Sequence, residues 1–335
     1  MSTIIYPPSI PWNWMFQRPQ QLLRELSLRG YSILYEEPGH FNKPNLHKLS
    51  PRFTLCRGLS AMEIPHSRPR ILWLTVPSHI NLASRYNPDL IVYDAVDEPS
   101  DEFAGWAPYY PAIITRADLI FATARSIFER LAPNHPHVYL VPNGVDFEHF
   151  AARPHHRPSD IPQDRPIIGY SGAIAPWLDW DLLDYAVRNN PDLLFVFIGT
   201  LYEMNFPLKQ RNTVYLGLKP YSTLPAYLQH FQVGLIPFRL TEMTKGCNPI
   251  KLYEYYAAGL PVLGTPLTEI LSVPKINLEN DPQRFSLRLR HLLNQPDTGR
   301  TERLVFAQVN SWSIRANEIE QRITQMLGLK GISPL

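Results

Sequence analysis

The densest run of chemistry-bearing residues lies between Phe238 and Pro266, FRLTEMTKGCNPIKLYEYYAAGLPVLGTP. Asn248 has the side chain of a helix N-cap, and Pro249 suits the first helical position. Gly259 suits the helix end, and Pro261 bars its continuation. On that reading Lys251 is the third helical residue, at the positive end of the helix dipole, where a cation is disfavoured. Arg239 and Lys245 lie just upstream. Positive charge gathered at a helix start asks for an anion, most simply a phosphate. Glu254 follows Lys251 by three residues and shares its helical face. A carboxylate placed there can accept two hydroxyl hydrogen bonds, as from a ribose. The plainer alternative is an ordinary surface ion pair between Lys251 and Glu254.

Other candidates are sparser. Asp179-Trp180-Asp181 spells D-x-D, a pattern that can hold a divalent cation, but it opens a helical stretch. Asp179 then reads as the N-cap and Asp181 as a first-turn acid. No other group of Asp, Glu and His has metal-ligand spacing, which predicts metal-independent chemistry and no cofactor. Asp94 and Asp97 follow a buried-looking strand at its C-terminal end, where α/β sites gather. Either could hold or deprotonate a hydroxyl; the alternative for Asp97 is loop capping ahead of Glu98-Pro99-Ser100. Gln17 and Arg18 begin the helix after the first strand, and Arg18 could meet a phosphate or anchor the loop. Trp12, Trp14 and Phe16 form an aromatic loop that could receive a sugar or a lipid carrier, which allows a peripheral membrane contact. His155 and His156 read as solvated. Cys56 and Cys247 are too few for a disulfide framework or a zinc site and read as free buried thiols in a reducing compartment.

These residues need elements to position them. Short apolar runs recur, each followed by a polar loop and a helical pattern. In the first half strands are expected at residues 2–6, 32–36, 70–74, 90–93, 119–122 and 138–141, with helices at 17–29, 111–116 and 124–131. Several runs are continuously apolar, which suits strands covered on both faces of a parallel sheet. Residues 151–165 lack apolar periodicity and read as a linker. The alternation then resumes, with strands at 167–170, 193–198, 213–216, 233–237 and 261–264. Helices are expected at 181–188, 224–231, 249–258, 282–293 and 303–327, the last broken near Asn310. Two successive β/α halves imply two doubly wound sheets.

Composition narrows the function classes. The 335 residues are 44% hydrophobic and 19% charged, a globular composition. Thirty-two Lys and Arg against 30 Asp and Glu leave a net charge of +2, which argues against a nucleic-acid partner. The N-terminus lacks the basic-then-apolar pattern of a signal peptide. No apolar stretch reaches the roughly 18 residues of a spanning helix. A cytoplasmic location, or the inner face of the membrane, is expected. No G-x-G-x-x-G follows a strand, which disfavours a dinucleotide oxidoreductase.

Taken with their order, the motifs resemble those of GT-B glycosyltransferases of the large family 4 type. KLYEYYAAGLPVLGTP is similar to the nucleotide-sugar-binding segment of that family, whose Glu matches Glu254 and holds the donor ribose. Val141-Pro142-Asn143-Gly144-Val145-Asp146 resembles its interdomain turn, and Ile168-Gly169-Tyr170-Ser171-Gly172 the first strand and glycine loop of its donor domain. Val214-Tyr215-Leu216-Gly217 followed by Leu224-Pro225-Ala226-Tyr227-Leu228 resembles the strand and short helix before the donor site. Asn310-Ser311-Trp312 resembles the start of a last helix that returns to the N-terminal domain. Trp12 to Gln20 and Tyr93-Asp94-Ala95-Val96-Asp97 are similar to a subgroup of bacterial polysaccharide enzymes, including teichuronic-acid glycosyltransferases.

The resemblance implies an α/β GT-B fold, two Rossmann-like domains facing across a cleft. Expected are an acceptor-side domain at 1–150, a linker at 151–165, a donor domain at 166–310 and a crossover helix and tail at 311–335. It implies sugar transfer from a nucleotide-diphosphate sugar to a saccharide or lipid-linked acceptor, with retention at the anomeric carbon. The donor set is Glu254, Lys251, Gly172, Lys245, Arg239, Asn248 and Ile250. The acceptor side is Gln17, Trp14 and Asp94, with Asp97 and Arg18 at the reaction. Two departures stand out. The family often carries a second Glu, which contacts the donor sugar, and its position here is Gly246. Its basic pair after the glycine loop is replaced by Ala175-Pro176-Trp177-Leu178, leaving Lys251, Lys245 or Arg239 to meet the diphosphate. Backbone amides around Gly246, Cys247 and Asn248 are then expected to help hold the sugar. The rival readings are a non-catalytic sugar-nucleotide-binding scaffold and a nucleotide-sugar epimerase.

Overall fold

The computed structural model describes residues 2–154, 157–162 and 164–333; His155 and His156 lie outside them. The chain divides into two compact units, Met1–Asn143 with Trp312–Leu335, and Gly144–Ser311.

Unit 1 is built on an eight-stranded sheet. Its strands are β1 (Thr3–Tyr6), β2 (Ser32–Glu37), β3 (Asn45–Ser50), β4 (Phe53–Arg57), β5 (Arg70–Leu74), β6 (Leu90–Ala95), β7 (Leu119–Ala122) and β8 (Val138–Leu140). Their order is β3-β4-β2-β1-β5-β6-β7-β8. All neighbours are parallel except β3, which runs antiparallel to β4. Every residue of β1, β5 and β7 is buried, as continuously apolar central strands require. The crossovers are α1 (Arg18–Leu28), α2 (Ala83–Tyr86), α3 (Tyr110–Arg116) and α4 (Arg125–Leu131).

Unit 2 opens with α5 (Phe147–Ala151) and carries a six-stranded parallel sheet: β9 (Ile167–Ser171), β10 (Leu194–Ile198), β11 (Thr213–Tyr215), β12 (Phe231–Ile236), β13 (Val262–Gly264) and β14 (Asn277–Leu278). The order is β11-β10-β9-β12-β13-β14. Its remaining helices are α6 (Trp180–Arg188), α7 (Leu224–Leu228), α8 (Glu242–Lys245), α9 (Ile250–Ala257), α10 (Pro282–Asn294) and α11 (Arg300–Gln308). The stretch read as a linker is part of this unit. Ile161 within it is buried in the unit's core, as is Phe150 just before it, and Asp160 bonds Lys219 and Tyr227.

The tail reads as two helices. After Asn310-Ser311, α12 (Trp312–Leu329) packs on α1 within unit 1. Trp312, Ile319, Ile323 and Leu327 are buried there, Arg29 donates to the Ser313 carbonyl at 2.8 Å, and Lys330 pairs with Asp118 at 2.5 Å. Among the described residues no helix is long and apolar enough to cross a membrane.

Candidate active site

In an open α/β sheet, ligands collect where successive crossovers leave adjacent strands in opposite directions. In unit 2 that point lies between β9 and β12, because β10 follows β9 on one side while β12 flanks it on the other. Gly172 leaves β9 with φ +151°, and Gly199 leaves β10 with φ +148°, both closed to most side chains. A methyl group at Gly199 would lie 1.8 Å from the Gly172 carbonyl oxygen, so the two glycine loops pack backbone on backbone. Tyr170 Oη tightens the first loop by donating to the Ala173 carbonyl at 2.8 Å.

Helix α9 is docked over this crevice. The Tyr255 ring lies on β12 at Gly234, where a methyl group would come within 2.6 Å of it. Its hydroxyl accepts the Ser171 N–H at 2.8 Å, at the end of β9. The helix begins one residue later than the sequence suggests. Pro249 is the N-cap, and Asn248 is buried with its Oδ1 accepting from Tyr253 Oη at 3.1 Å. Ile250 is therefore the first helical residue and Lys251 the second.

Lys251 reaches into the crevice. Its Nζ stands 5.2 Å from the Tyr170 ring centroid and 4.6 Å from that of Phe238, one ring from each flank. A methyl group at Gly172 would lie 2.8 Å from Lys251 Cε. Among the described residues Nζ makes no ion pair; burial lowers its pKa, partly offset by Cys247 and Glu254. Glu254 is 8% exposed, and its carboxyl makes no hydrogen bond or ion pair among the described residues. Burial pushes its pKa up to about 7 against the pull of the Lys251 charge. Lys251 is half-buried and Glu254 buried, and the two are unjoined rather than a surface ion pair. Two aromatic faces stabilise an ammonium only modestly. A desolvated cation above two glycine loops favours an anion with oxygens to share.

The other donor-side residues are placed differently. Lys245 is exposed and pairs with exposed Glu242 one turn back on α8, so its charge is spent at the surface. Arg239 is exposed and lines a shallow concavity with Asp179, Trp180 and Asp181. Asp179 caps α6, its Oδ1 accepting the Leu182 N–H at 3.0 Å. The Gly246 and Cys247 amides are not available for a sugar, because they donate to the Met243 and Thr244 carbonyls, each at 3.1 Å. Cys56 is buried, with its thiol pushed up to about 12, and Cys247 is half-buried.

In unit 1 the divergence lies between β1 and β5. Arg18 and Asp94, expected to face ligand, face each other. Arg18 Nε lies 2.9 Å from both carboxylate oxygens, and the residues are 2% and 0% exposed. Arg18 Nη1 also donates to the Pro142 carbonyl at 3.2 Å and to Asn143 Oδ1 at 3.3 Å. The pair is a buried clamp joining the start of α1, the end of β6 and the last residues before the unit boundary. Gln17 is the N-cap of α1 and half-buried. Trp14 is half-buried, its carbonyl accepting from Gln20 Nε2 at 3.4 Å, whereas Trp12 packs against Phe16, Tyr35 and Phe53. Asp97 keeps a side chain without a hydrogen bond among the described residues, and only its carbonyl is engaged, by Tyr110 Oη at 3.1 Å. Burial, reinforced by Glu98, pushes its carboxyl up to about 7.

Sequence reasoning missed Gly199, the rings of Tyr170 and Phe238, and Ser9 with His79 at the unit 1 crevice. Gly199 could have been found as the glycine that ends an apolar strand, in the manner of Gly172. The others depend on contacts between distant positions.

No model of a known protein family matches the chain. It is 27% identical over 303 residues to a Bacillus subtilis (strain 168) protein named "Putative teichuronic acid biosynthesis glycosyltransferase TuaH", covering 82% of this chain and 75% of that protein. Among solved structures it resembles sucrose-phosphate synthase from Thermosynechococcus elongatus, with a TM-score of 0.73, 15% identity, and coverage of 98% of this chain and 100% of that one. It also resembles α,α-trehalose 6-phosphate synthase from Burkholderia multivorans, with a TM-score of 0.70 and 11% identity over 98% and 100% of the two chains. An Escherichia coli structure described as bound with UDP-2-fluoro glucose gives 0.68 and 14% over 97% and 99%. Two doubly wound units, the ordered sequence motifs and these likenesses agree, and the fold is GT-B.

Proposed function

We propose that the protein is a glycosyltransferase that moves a sugar from a nucleotide-diphosphate sugar to a saccharide or lipid-linked acceptor, in the synthesis of a surface polysaccharide. The observation that carries this reading is Lys251, a desolvated ammonium without an ion-pair partner among the described residues, held over two glycine loops at the unit 2 crevice. Lys251 meets the diphosphate, and its charge stabilises the negative charge that grows on the departing nucleotide diphosphate. Glu254, one turn along, accepts hydrogen bonds from the ribose hydroxyls. Ligand hydroxyls replace the water the carboxylate has lost, which lowers its pKa on binding. On the acceptor side Asp97, after β6, is the open carboxyl, with Gln17 and Trp14 on the loop after β1. Transfer proceeds with retention and without a metal, since Asp179 of the D-x-D is engaged in capping α6.

A thermal-shift panel of nucleotide diphosphates and sugar nucleotides tests the reading. A ligand at 100 times its dissociation constant adds about 2.7 kcal/mol of stability. Stabilisation followed by acceptor-dependent release of the nucleotide diphosphate is the expected result. Stabilisation without turnover on any acceptor favours the scaffold alternative, and activity abolished by EDTA and restored by Mn²⁺ overturns the metal-independent part.

A further inference from the structure

The unit 1 crevice holds a histidine that the donor site leaves unused. Ser9 follows β1 and His79 follows β5, the two strands whose crossovers diverge. Ser9 Oγ donates to the Pro7 carbonyl at 3.0 Å and lies 3.3 Å from His79 Nδ1. A hydroxyl has one proton. With that proton on Pro7, the second contact takes its proton from Nδ1. Tyr6 Oη also bonds this hydroxyl. Placing the Ser9 proton on Pro7 corresponds to the Nδ1–H tautomer, with the lone pair on Nε2. Nε2 has no hydrogen-bond partner among the described residues and is not sealed from solvent. Burial lowers the ring's pKa below the ordinary histidine value, which keeps it uncharged at neutral pH. This polarity is the reverse of a Ser-His nucleophilic pair, in which the ring accepts the serine proton.

We propose that His79 is the Nδ1–H tautomer and that its Nε2 binds the attacking hydroxyl of the sugar acceptor, accepting its hydrogen bond and fixing its position; this rests on the glycosyltransferase reading. A neutral ring with an outward lone pair selects a hydroxyl and repels a phosphate. Asp97, beyond the adjacent strand β6, offers a second acceptor group, and Arg18 is spent on Asp94. The crevice thus suits the polyol part of the acceptor rather than an anionic carrier.

Two measurements on the full chain test this. Long-range proton–nitrogen NMR at pH 7, assigned with His79→Asn, is expected to show a protonated Nδ1 and a bare Nε2. Nε2 is expected to shift when an octyl hexoside is added. His79→Asn keeps an N–H for Ser9 and removes Nε2, with its lone pair, from the crevice; the shorter amide oxygen does not reach that position. It is expected to raise KM for octyl hexosides about tenfold, the effect of one lost hydrogen bond, and to leave nucleotide-diphosphate affinity unchanged. An Nε2–H tautomer, or an unchanged acceptor KM in a folded variant, overturns the proposal while the glycosyltransferase reading stands. If His79→Asn does not fold, the wild-type tautomer and its response to octyl hexosides decide. If the wild-type chain binds nucleotide diphosphates but transfers to no acceptor, the glycosyltransferase reading itself falls.

Discussion

At the residue scale the donor site turns on two ionisable groups, each poorly solvated and neither joined to the other. An unpartnered desolvated charge destabilises the protein that carries it. Lys251→Met keeps the side-chain volume and removes the charge, so its two effects should have opposite signs. The ligand-free protein should melt higher, and nucleotide-diphosphate affinity by calorimetry should fall more than tenfold. Affinity unchanged would remove Lys251 from the site. Glu254→Ala should weaken sugar-nucleotide binding by about 1.5–3 kcal/mol, the cost of losing a charged hydrogen-bond partner. The pH dependence follows from burial raising the pKa of Glu254 to about 7 in the folded chain, against about 4.5 for an exposed glutamate. The folded state holds this proton more tightly than the unfolded one. The associated stability is fully present below about pH 4.5 and is lost as pH rises through 7, by about 3 kcal/mol. Thermal scans of ligand-free wild type and Glu254→Gln across that window should therefore differ in slope, the variant losing less stability as pH rises. Parallel curves would mean that the carboxyl is better solvated than its burial suggests. These features were partly legible in the sequence. The spacing of Lys251 and Glu254 could be read, but the rings around Lys251 could not. Arg18 was misplaced because its partner Asp94 is 76 residues away.

At the element scale, legibility tracked the length of continuous apolar runs. Strand β4 is mostly buried but was not expected, because Phe53, Leu55 and Cys56 are interrupted by Thr54 and bounded by Arg57. Strands β5 and β7 coincide with the expected bounds because their apolar runs are continuous and both faces are covered. Strand β3 escaped notice because it is an edge strand with nearly every residue exposed, so no apolar run or alternation marks it. Strand β14 has two residues, too few for any period. The start of α9 was placed one residue early because Asn248 is a strong N-cap by type, yet here its side chain serves Tyr253. The glycine loop is the element with the sharpest consequence. Gly172→Ala puts a methyl group against Lys251 Cε and forces a φ that alanine resists. It should lower nucleotide-diphosphate affinity with the whole side chain of Lys251 still present, and a wild-type calorimetric titration would show that the loop does not shape the site. Asp179→Ala removes the α6 cap and should cost about 1 kcal/mol in denaturant unfolding.

At the scale of the whole molecule, the chain leaves unit 1 after Asn143 and returns at Trp312. The recurring β/α pattern gave away two sheets and the Val141–Asp146 motif an interdomain turn, where the division falls, but neither showed that residues 157–162 are packed into unit 2. The division has a consequence for where binding resides. Gly172, Gly199, Phe238, Lys251 and Glu254 all belong to Gly144–Ser311, which has its own core and a continuous stretch of chain. Unit 1 is discontinuous, and α12 contributes Trp312, Ala316, Ile319, Ile323, Met326 and Leu327 as buried residues. Deleting it uncovers apolar surface on α1 and β7, worth several kcal/mol at about 25 cal/mol per Å². Residues 144–311 expressed alone should therefore fold cooperatively and bind a nucleotide diphosphate within about threefold of the full chain, a difference below 1 kcal/mol. Residues 1–143 alone should fail to fold and should recover structure when 312–335 is joined through a flexible linker. Circular dichroism and calorimetry on the three fragments decide. A folded 144–311 that binds no nucleotide diphosphate would place the donor anion outside the Lys251 crevice, whatever the full chain does.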